Sequence, residues 1–312
     1  MILTVTLNAA LDVTYEVPAL RAHTSHRVST VHSRAGGKGV NVARVLHALQ
    51  RPAVVSGLAG GHTGAMIRAD LAVAGLPDEL VDIAGESRRT LTVVAEDTGD
   101  ATVFNELGPD VSTSEWQEFR ARFAVLAALS KVVVLSGSLP RGLYAGAYGE
   151  LVGIARDVGA LSIVDTSDEP LLRAVAAGPD VIKPNAAELL DVTGKTDVLE
   201  AIAALRELGA RAVVASLGPD GLLASTVDGR AWRARLPRAL SGNPTGAGDA
   251  CVAALAAGVD DGRAWPEVLA DAAALAASAV VAPVAGEHDS VTYQDIRPDV
   301  SVEEISATRP NR

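Results

Sequence analysis

Short β-branched runs alternate with segments of helical spacing from about residue 131 to residue 218. Residues 131–138 and 161–167 are strand-like, and the intervening 144–158 places apolar residues three and four positions apart. Strands interleaved with short helices indicate βαβ units, in which a parallel sheet is covered on both faces. We therefore expect an α/β fold with a doubly wound, mostly parallel sheet and helices on both faces.

The first third of the chain follows a different pattern. Four segments alternate apolar and polar residues, namely 11–17, 26–33, 89–97 and 101–107. Alternation predicts strands with one buried and one solvated face, and the sequence DTGD between the last two is a hairpin signal. We expect one domain over 1–312, with a small β lid contributed by about 11–33 and 88–107. The polar tail from about 299 is expected to fray.

Composition and charge narrow the classes of partner. Hydrophobic residues make up 48% of the chain, and 27 Lys and Arg stand against 38 Asp and Glu, for a net charge of -11. An acidic protein is expected to bind no nucleic acid and no anionic membrane.

The single cysteine, Cys251, allows no intramolecular disulfide and is expected to be a packing residue. No charged leader is visible, and the Ala/Val-rich run near 272–286 is too short to span a bilayer, so we expect a buried helix there and a cytoplasmic protein.

Polar residues cluster where the predicted strands end. They are Ser136, Ser138, Asp165, Lys183, Asn185, Ser216 and Gly218. In doubly wound sheets the ligand lies beyond the carboxyl ends of the strands. The pattern therefore predicts that these separate segments border one crevice.

The sequence NPTGAGDACVAAL, residues 243–255, places a glycine turn before an apolar helix. The first amides of such a helix have no internal partner, and the helix dipole adds positive potential, so Gly246, Ala247 and Gly248 predict an anion hole. Asp249 follows directly. It suits a transient anion: the amides would stabilise a migrating phosphoryl group while the carboxylate accepts the proton of the attacking hydroxyl. The alternative is that Asp249 only caps the helix.

A second glycine turn lies in AGGKGVNVARVLHAL, residues 35–49, ahead of an amphipathic helix. It is not a Walker A loop, because the string Gly-x-x-x-x-Gly-Lys-Ser/Thr is absent. The turn carries Lys38, which suits a permanent anion such as a phosphate already on the substrate. The alternative is a solvated lysine beside a structural turn.

Together these segments resemble the ribokinase-like (PfkB) family of carbohydrate kinases over nearly the whole chain. TLNAALD (6–12) resembles the TLNPALD of the branch that includes 1-phosphofructokinases and tagatose-6-phosphate kinases, and AGGKGVNVA and NPTGAGDA match the two family signatures. Four further segments follow in the family's order: SGSLPRG (136–142), VDTS (164–167), KPNAAE (183–188) and SLGPDG (216–221).

The resemblance implies a role for each matching position. The implied catalytic group is the base Asp249 with the anion-hole amides of Gly246, Ala247 and Gly248. The implied ligands of the sugar and of its existing phosphate are Asp12, Gly37, Lys38, Asn41, Arg88 and Asn105. The implied nucleotide ligands are Lys183, Asn185, Ser216, Gly218 and Gly221, with an adenine pocket lined by the helix 270–282. Asn185 and Glu188 match the family's Asn-x-x-Glu pattern, which organises Mg²⁺, partly through water.

The activity implied is ATP- and Mg²⁺-dependent phosphorylation of a phosphorylated ketohexose, with fructose 1-phosphate, giving fructose 1,6-bisphosphate, as the first candidate. Tagatose 6-phosphate and fructose 6-phosphate are alternatives, because Thr90 replaces the usual Asn of the lid's Thr-Arg-x-Asn string. Ala9 also replaces the usual proline of TLNPALD. We expect a homodimer that pairs through the lid strands, as in several members of this family.

Two other hypotheses about the function are open, and a third is excluded. A kinase of a free sugar or nucleoside would leave Lys38 and Arg88 without a ligand. A non-catalytic sugar-phosphate sensor would not need Asp249 or the Asn185/Glu188 pair. A dinucleotide-binding oxidoreductase is set aside, because no Gly-x-Gly-x-x-Gly follows the first strand.

Overall fold

A computed structural model describes residues 1–28 and 30–306. Its strands are β1 (Ile2–Thr6), β2 (Ala10–Val17), β3 (Thr30–Gly36), β4 (Ala53–Gly60), β5 (Asp78–Ile83), β6 (Arg88–Ala95), β7 (Ala101–Asn105), β8 (Val132–Ser136), β9 (Leu161–Asp165), β10 (Val181–Ile182), β11 (Val213–Ser216), β12 (Leu222–Ser225), β13 (Ala231–Arg235) and β14 (Ser301–Ile305). Its α-helices are α1 (Lys38–Ala48), α2 (Gly61–Val73), α3 (Thr113–Ala128), α4 (Ala147–Asp157), α5 (Asp168–Ala176), α6 (Ala186–Thr193), α7 (Val198–Leu208), α8 (Ala247–Asp261), α9 (Trp265–Val280) and α10 (Ser290–Ile296). Two short 3₁₀ helices lie between these elements, Gly218–Asp220 between β11 and β12 and Arg297–Asp299 between α10 and β14.

The main sheet has ten strands in the order β14-β13-β12-β11-β10-β9-β8-β1-β4-β5. All pairings from β11 to β5 are parallel, whereas β12, β13 and β14 add antiparallel pairs at one end. Every residue of β1 and β8 is buried, as expected for strands covered on both faces. The predicted fold class, a doubly wound and mostly parallel sheet, is confirmed.

Helices pack on both faces of this sheet and form two cores. One face is filled by large side chains, among them Phe119, Phe123 and Tyr148. The other is covered by α8 and α9, whose small alanines allow close helix packing. Cys251 lies buried in this second core, as expected of a packing residue. Across the described ranges, no helix has both the length and the apolarity that a membrane crossing requires.

A separate four-stranded sheet has the order β3-β2-β6-β7. Strands β6 and β7 form the predicted antiparallel hairpin. Strands β2 and β6, however, pair in parallel, which brings Asp12 opposite Thr90. The small sheet, set apart from the main one, has the position expected of a lid.

The chain end differs from the expectation of a frayed tail from about 299. Residues 301–305 form β14, the edge strand beside β13. Partly buried Val302 and Ile305 contact the cores, and Glu303 makes an ion pair of 2.6 Å with Arg235 on the neighbouring strand. These cross-strand contacts, which local composition does not reveal, hold the segment in the sheet. The remainder of the tail, from residue 307, lies outside the described residues.

Candidate active site

A cavity of about 270 Å³ opens at the carboxyl ends of the parallel strands, between the main sheet and the lid. It is lined by Thr6, Asn8, Gly37, Lys38, Arg88, Gly137, Ser138, Thr166, Ser167 and Glu188. The segments that follow β8, β9 and β10 thus border one crevice, as the strand-end pattern predicts, whereas Ser216 and Gly218 after β11 are not among its lining residues. Among the predicted site residues, the cavity brings Gly37, Lys38, Arg88 and Glu188 together.

Two of the three amides predicted to form the anion hole are free at the start of α8: among the described residues, the amides of Gly246 and Gly248 have no acceptor. The Ala247 amide is not free, because it donates to the carbonyl of Pro244 at 3.1 Å, which closes the turn ahead of the helix. Gly246 precedes the helix with a φ of 89°, and a side chain there would collide with Ala285, whose Cα lies 2.9 Å from the Cβ position. Asp249 does not cap this turn: in the described part of the chain its carboxylate accepts no hydrogen bond from the first amides of α8. It accepts one instead from Asn41 Nδ2 at 2.8 Å. The contacts therefore favour the base over the helix cap.

The Asp249 carboxyl is held in a state suited to proton transfer. Only 6% of the residue is exposed, and burial, followed by the negative charge of Asp165, raises its pKa to about 7. The Asn41 hydrogen bond and the charges of Lys38 and Lys183 oppose this rise. A general base with a pKa near neutrality can both accept and release a proton at physiological pH.

Asp165, which the strand-end pattern places at the crevice without giving it a role, is the central charged residue of the site. It ends β9, is 1% exposed, and its Oδ1 lies 3.4 Å from the ammonium groups of both Lys38 and Lys183. Lys183 is itself buried, and burial by itself lowers the pKa of an ammonium group. Nearby negative charges, of which Asp165 has the largest effect, raise the pKa of Lys183 overall. The Lys183 ammonium also lies 3.5 Å from the position of a Cβ on Gly248, so a positive charge stands beside the anion hole.

The lid end of the cavity is organised around Arg88. Its Nε donates to the carbonyl of Asn8 at 3.0 Å and its Nη1 to Thr90 Oγ1 at 3.3 Å. Asp12 lies over Gly36, where a Cβ would be only 2.0 Å from the carboxylate. Burial raises the pKa of Asp12, while a hydrogen bond from Thr90 and the charge of Arg88 oppose the rise. Thr90, which departs from the family string, thus contacts both predicted sugar ligands.

The glycine turn at Gly37 brings α1 close to β1. Gly37 has a φ of 103°, and a Cβ on it would be 2.7 Å from Thr6 Cγ2.

Asn105 is exposed at the end of β7 and borders a separate depression of about 700 Å³, which Arg88 also lines. The structure therefore places Asn105 next to Arg88 but outside the 270 Å³ cavity.

Asn185 and Glu188 form a reciprocal cap at the start of α6. The amide of Glu188 donates to Asn185 Oδ1 at 2.9 Å, and the amide of Asn185 donates to Glu188 Oε2 at 2.8 Å. The Asn-x-x-Glu spacing is also that of a capping box, a second use that explains why these residue types stand three apart. Only Glu188 reaches the cavity wall.

The predicted nucleotide loop follows β11. Ser216 ends that strand and pairs with Asn185, so the loop lies next to the start of α6. Gly218 begins a 3₁₀ turn with a φ of 61° in open space. Gly221 has a structural requirement of its own, because a Cβ there would be 2.1 Å from the carbonyl of Ala234.

Free amides beside a buried base are suited to phosphoryl transfer onto a hydroxyl. Comparison with known proteins leads to the same class: the chain belongs to the pfkB family of carbohydrate kinases, whose model matches residues 4–289. It is 31% identical to a tagatose-6-phosphate kinase of Staphylococcus epidermidis, over 98% of this chain and 100% of the relative.

Solved structures agree in fold. Phosphofructokinase-2 from Escherichia coli in complex with potassium matches with a TM-score of 0.90 and 27% identity, over 96% of this chain and 98% of that one. A possible 1-phosphofructokinase from Thermotoga maritima matches with a TM-score of 0.84 and 26% identity, over 98% and 100% of the two chains. The protein is therefore a sugar-phosphate kinase, which transfers phosphate to an alcohol group.

Proposed function

We propose that the protein uses ATP and Mg²⁺ to phosphorylate a ketohexose monophosphate, with fructose 1-phosphate as the first candidate. The observation that carries this proposal is one cavity lined by Arg88 of the small sheet together with Lys38 of α1 and Glu188 of α6. A substrate that already bears a phosphate gives Arg88 a ligand that a free sugar lacks. Guanidinium groups bind phosphate oxygens through two parallel hydrogen bonds.

Asp249 accepts the proton of the sugar hydroxyl as that oxygen forms a bond to the γ-phosphorus and the bond to the leaving ADP oxygen breaks. The amides of Gly246 and Gly248 stabilise the charge on the migrating group, and the Ala247 amide would join them on leaving the Pro244 carbonyl. Lys183, fixed by Asp165, adds a positive charge beside these amides. Apart from the Ala247 amide, each group is in place before the substrate arrives, so little reorganisation is needed during the reaction.

Asp12, Gly37, Asn41, Arg88 and Asn105 are the proposed ligands of the sugar phosphate. Lys38 is 40% exposed and contacts Asp165 at 3.4 Å, a distance beyond that of a strong charge-assisted hydrogen bond. Its ammonium can therefore exchange this partner for a phosphate oxygen at modest cost.

Lys183, Asn185, Ser216, Gly218 and Gly221 are the proposed ligands of ATP. Mg²⁺ prefers hard oxygen ligands and retains several waters. Glu188 fits this requirement: its Oε2 is engaged in the helix cap, and its Oε1 accepts no hydrogen bond from the residues that the structure describes. Glu188 would hold Mg²⁺ through that oxygen, directly or through water, with Asn185 orienting the carboxylate. When bound, the ion would neutralise the phosphates of the nucleotide.

The substrate is tested by measuring ADP release across a panel with ATP and Mg²⁺. The panel contains fructose 1-phosphate, fructose 6-phosphate, tagatose 6-phosphate, fructose and ribose. We expect the highest kcat/KM for fructose 1-phosphate. A higher value for tagatose 6-phosphate, the substrate named for the Staphylococcus epidermidis relative, would reassign the sugar but keep the mechanism. Preference for a free sugar would contradict the role of Arg88.

We also propose a homodimer that forms through the small sheet. Its edge strand β7 is exposed along its whole length, including the side chains of Val103 and Phe104. An open apolar edge favours pairing with an identical strand. Escherichia coli phosphofructokinase-2 has a tetrameric inhibited form, so self-assembly occurs in a relative. Light scattering should give a dimer that Phe104→Lys dissociates. Val73→Lys, at an exposed position of α2, should leave the dimer intact, and a monomeric wild type would contradict the proposal.

A further inference from the structure

Gly286 lies between α9 and α10, directly against the side chain that holds the proposed base. A Cβ on Gly286 would stand 3.0 Å from Asn41 Oδ1 and 3.1 Å from Arg44 Cδ. The other end of the same amide, Asn41 Nδ2, donates to Asp249 Oδ2 at 2.8 Å. Asn41 is buried, so its amide has little room to turn. The bare backbone of Gly286 is therefore one wall of the space that orients this amide.

The residues on either side of Gly286 fix that wall in place. Ala285 packs against Gly246, at the start of the anion hole. Glu287 Oε1 accepts a hydrogen bond of 3.2 Å from Arg34 Nη1, on lid strand β3. Three consecutive residues thus contact the anion hole, the partner of the base and the lid.

We propose that Gly286 is a positioning residue, whose missing side chain lets this turn hold the Asn41 amide in the orientation that serves Asp249. The inference rests on the proposed role of Asp249 as the base. Gly286 acts through Asn41 and does not touch the reacting atoms. A methyl group at position 286 would crowd the amide oxygen and displace the amide by a few tenths of an ångström, which weakens its hydrogen bond to the carboxylate.

The consequence is a change in the titration of the base as well as a loss of rate. The charged groups that face Asp249 are Asp165, Lys38 and Lys183, and none of them is among the nearest atoms that a Cβ on Gly286 would meet. The hydrogen bond from Asn41 lowers the pKa of Asp249, so weakening this bond raises that pKa. The acid limb of the pH profile of kcat/KM should then move to higher pH.

The test compares Gly286→Ala with Gly159→Ala. Both glycines have nearly the same φ, 79° and 80°, but nothing lies within 4 Å of a Cβ on Gly159, so this control carries the same backbone strain without the collision. We expect Gly286→Ala to lower kcat by roughly tenfold or more, since small misplacements of catalytic groups are costly, and to move the acid limb upward. Gly159→Ala should change neither.

A double-mutant cycle with Asn41→Ala separates a positioning role from a general structural one. If Gly286 acts through Asn41, Gly286→Ala should cost no additional activity once the Asn41 amide is gone. Independent losses that multiply would overturn the inference, as would a Gly286→Ala enzyme that behaves like the Gly159→Ala control. Loss of the folded state in Gly286→Ala alone would also overturn it, because the role would then be structural.

Asp249→Asn, measured in parallel, separates the role of Asp249 as the base from the role of Gly286. If Asp249→Asn retains full turnover, the assignment of Asp249 as the base fails. If Asp249→Asn is inactive and Gly286→Ala is normal, only the inference about Gly286 fails.

Discussion

The ammonium of Lys183 lies 3.4 Å from Asp165 Oδ1, and both side chains are almost completely buried, with 4% and 1% exposed. The same carboxylate oxygen lies 3.4 Å from Lys38. One negative charge is therefore shared by two positive ones, which leaves a net positive charge beside the first turn of α8. Such a balance suits a site that receives phosphates.

Asp165→Asn should affect both stability and catalysis. Removing one partner of a buried ion pair leaves Lys183 uncompensated, which typically costs about 3–5 kcal/mol of unfolding free energy. It also removes a negative charge that raises the pKa of Asp249, so the acid limb of kcat/KM should move to lower pH. Urea unfolding and a pH profile measure the two effects.

Glu169→Gln is the control: it breaks an exposed ion pair with Arg173 and should change the free energy of unfolding by less than about 0.5 kcal/mol. An upward shift of the limb would contradict this account.

Arg88→Ala should raise the KM for the phosphosugar and leave the KM for ATP unchanged. Hydrogen bonds to charged groups contribute about 1.5–3 kcal/mol, which corresponds to roughly 10–150-fold in KM. Steady-state kinetics with each substrate varied in turn measures this. Arg89→Ala is the matched control, because the neighbouring side chain is 61% exposed.

Lys38→Ala should raise the same KM and also lower kcat, since Lys38 contacts Asp165 beside the base. Unchanged phosphosugar kinetics in both Arg88→Ala and Lys38→Ala would refute the proposal that these two side chains bind the phosphate already present on the sugar.

Glu188→Gln should increase the Mg²⁺ concentration required for half-maximal activity. Glutamine can still close the capping box at the start of α6, so the melting temperature should change little. Glu115→Gln offers a control, because Ser112 and Glu115 form the same kind of box at the start of α3, away from the cavity. Titrating Mg²⁺ at saturating ATP makes the comparison. Equal Mg²⁺ requirements in the two variants would remove Glu188 from the metal site.

The raised pKa of Asp249 predicts how stability depends on pH. The folded state keeps this proton up to a pH of about 7, whereas the unfolded chain releases it near its ordinary value of about 4. Stability from this group is therefore lost as the pH rises from about 4 to about 7. Asp249→Asn cannot ionise, so its gain in melting temperature over wild type should be larger at pH 8 than at pH 5. Equal gains at both values would show that the carboxyl is not buried in this way.

The sequence predicts the local parts of this molecule well. Buried parallel strands after residue 131 and the glycine turns at Gly37 and Gly246 have signatures within a few residues. The role of Asp165 depends on two lysines brought together by different strands, which no local pattern reveals. Asn185 and Glu188 show the converse limit, because the Asn-x-x-Glu spacing fits both the helix cap that the structure contains and the metal site that we propose. The antiparallel end of the sheet, including β14, also depends on partners distant in sequence.

Turnover by Asp249→Asn tests the central claim most directly. The substitution keeps the size of the side chain but removes the group that accepts the proton. We predict that kcat falls by at least the roughly 10²–10⁴-fold typical of general-base catalysis, while calorimetry shows that the phosphosugar and ATP still bind. An Asp249→Asn enzyme with wild-type kcat would contradict the account and leave phosphoryl transfer here without its base.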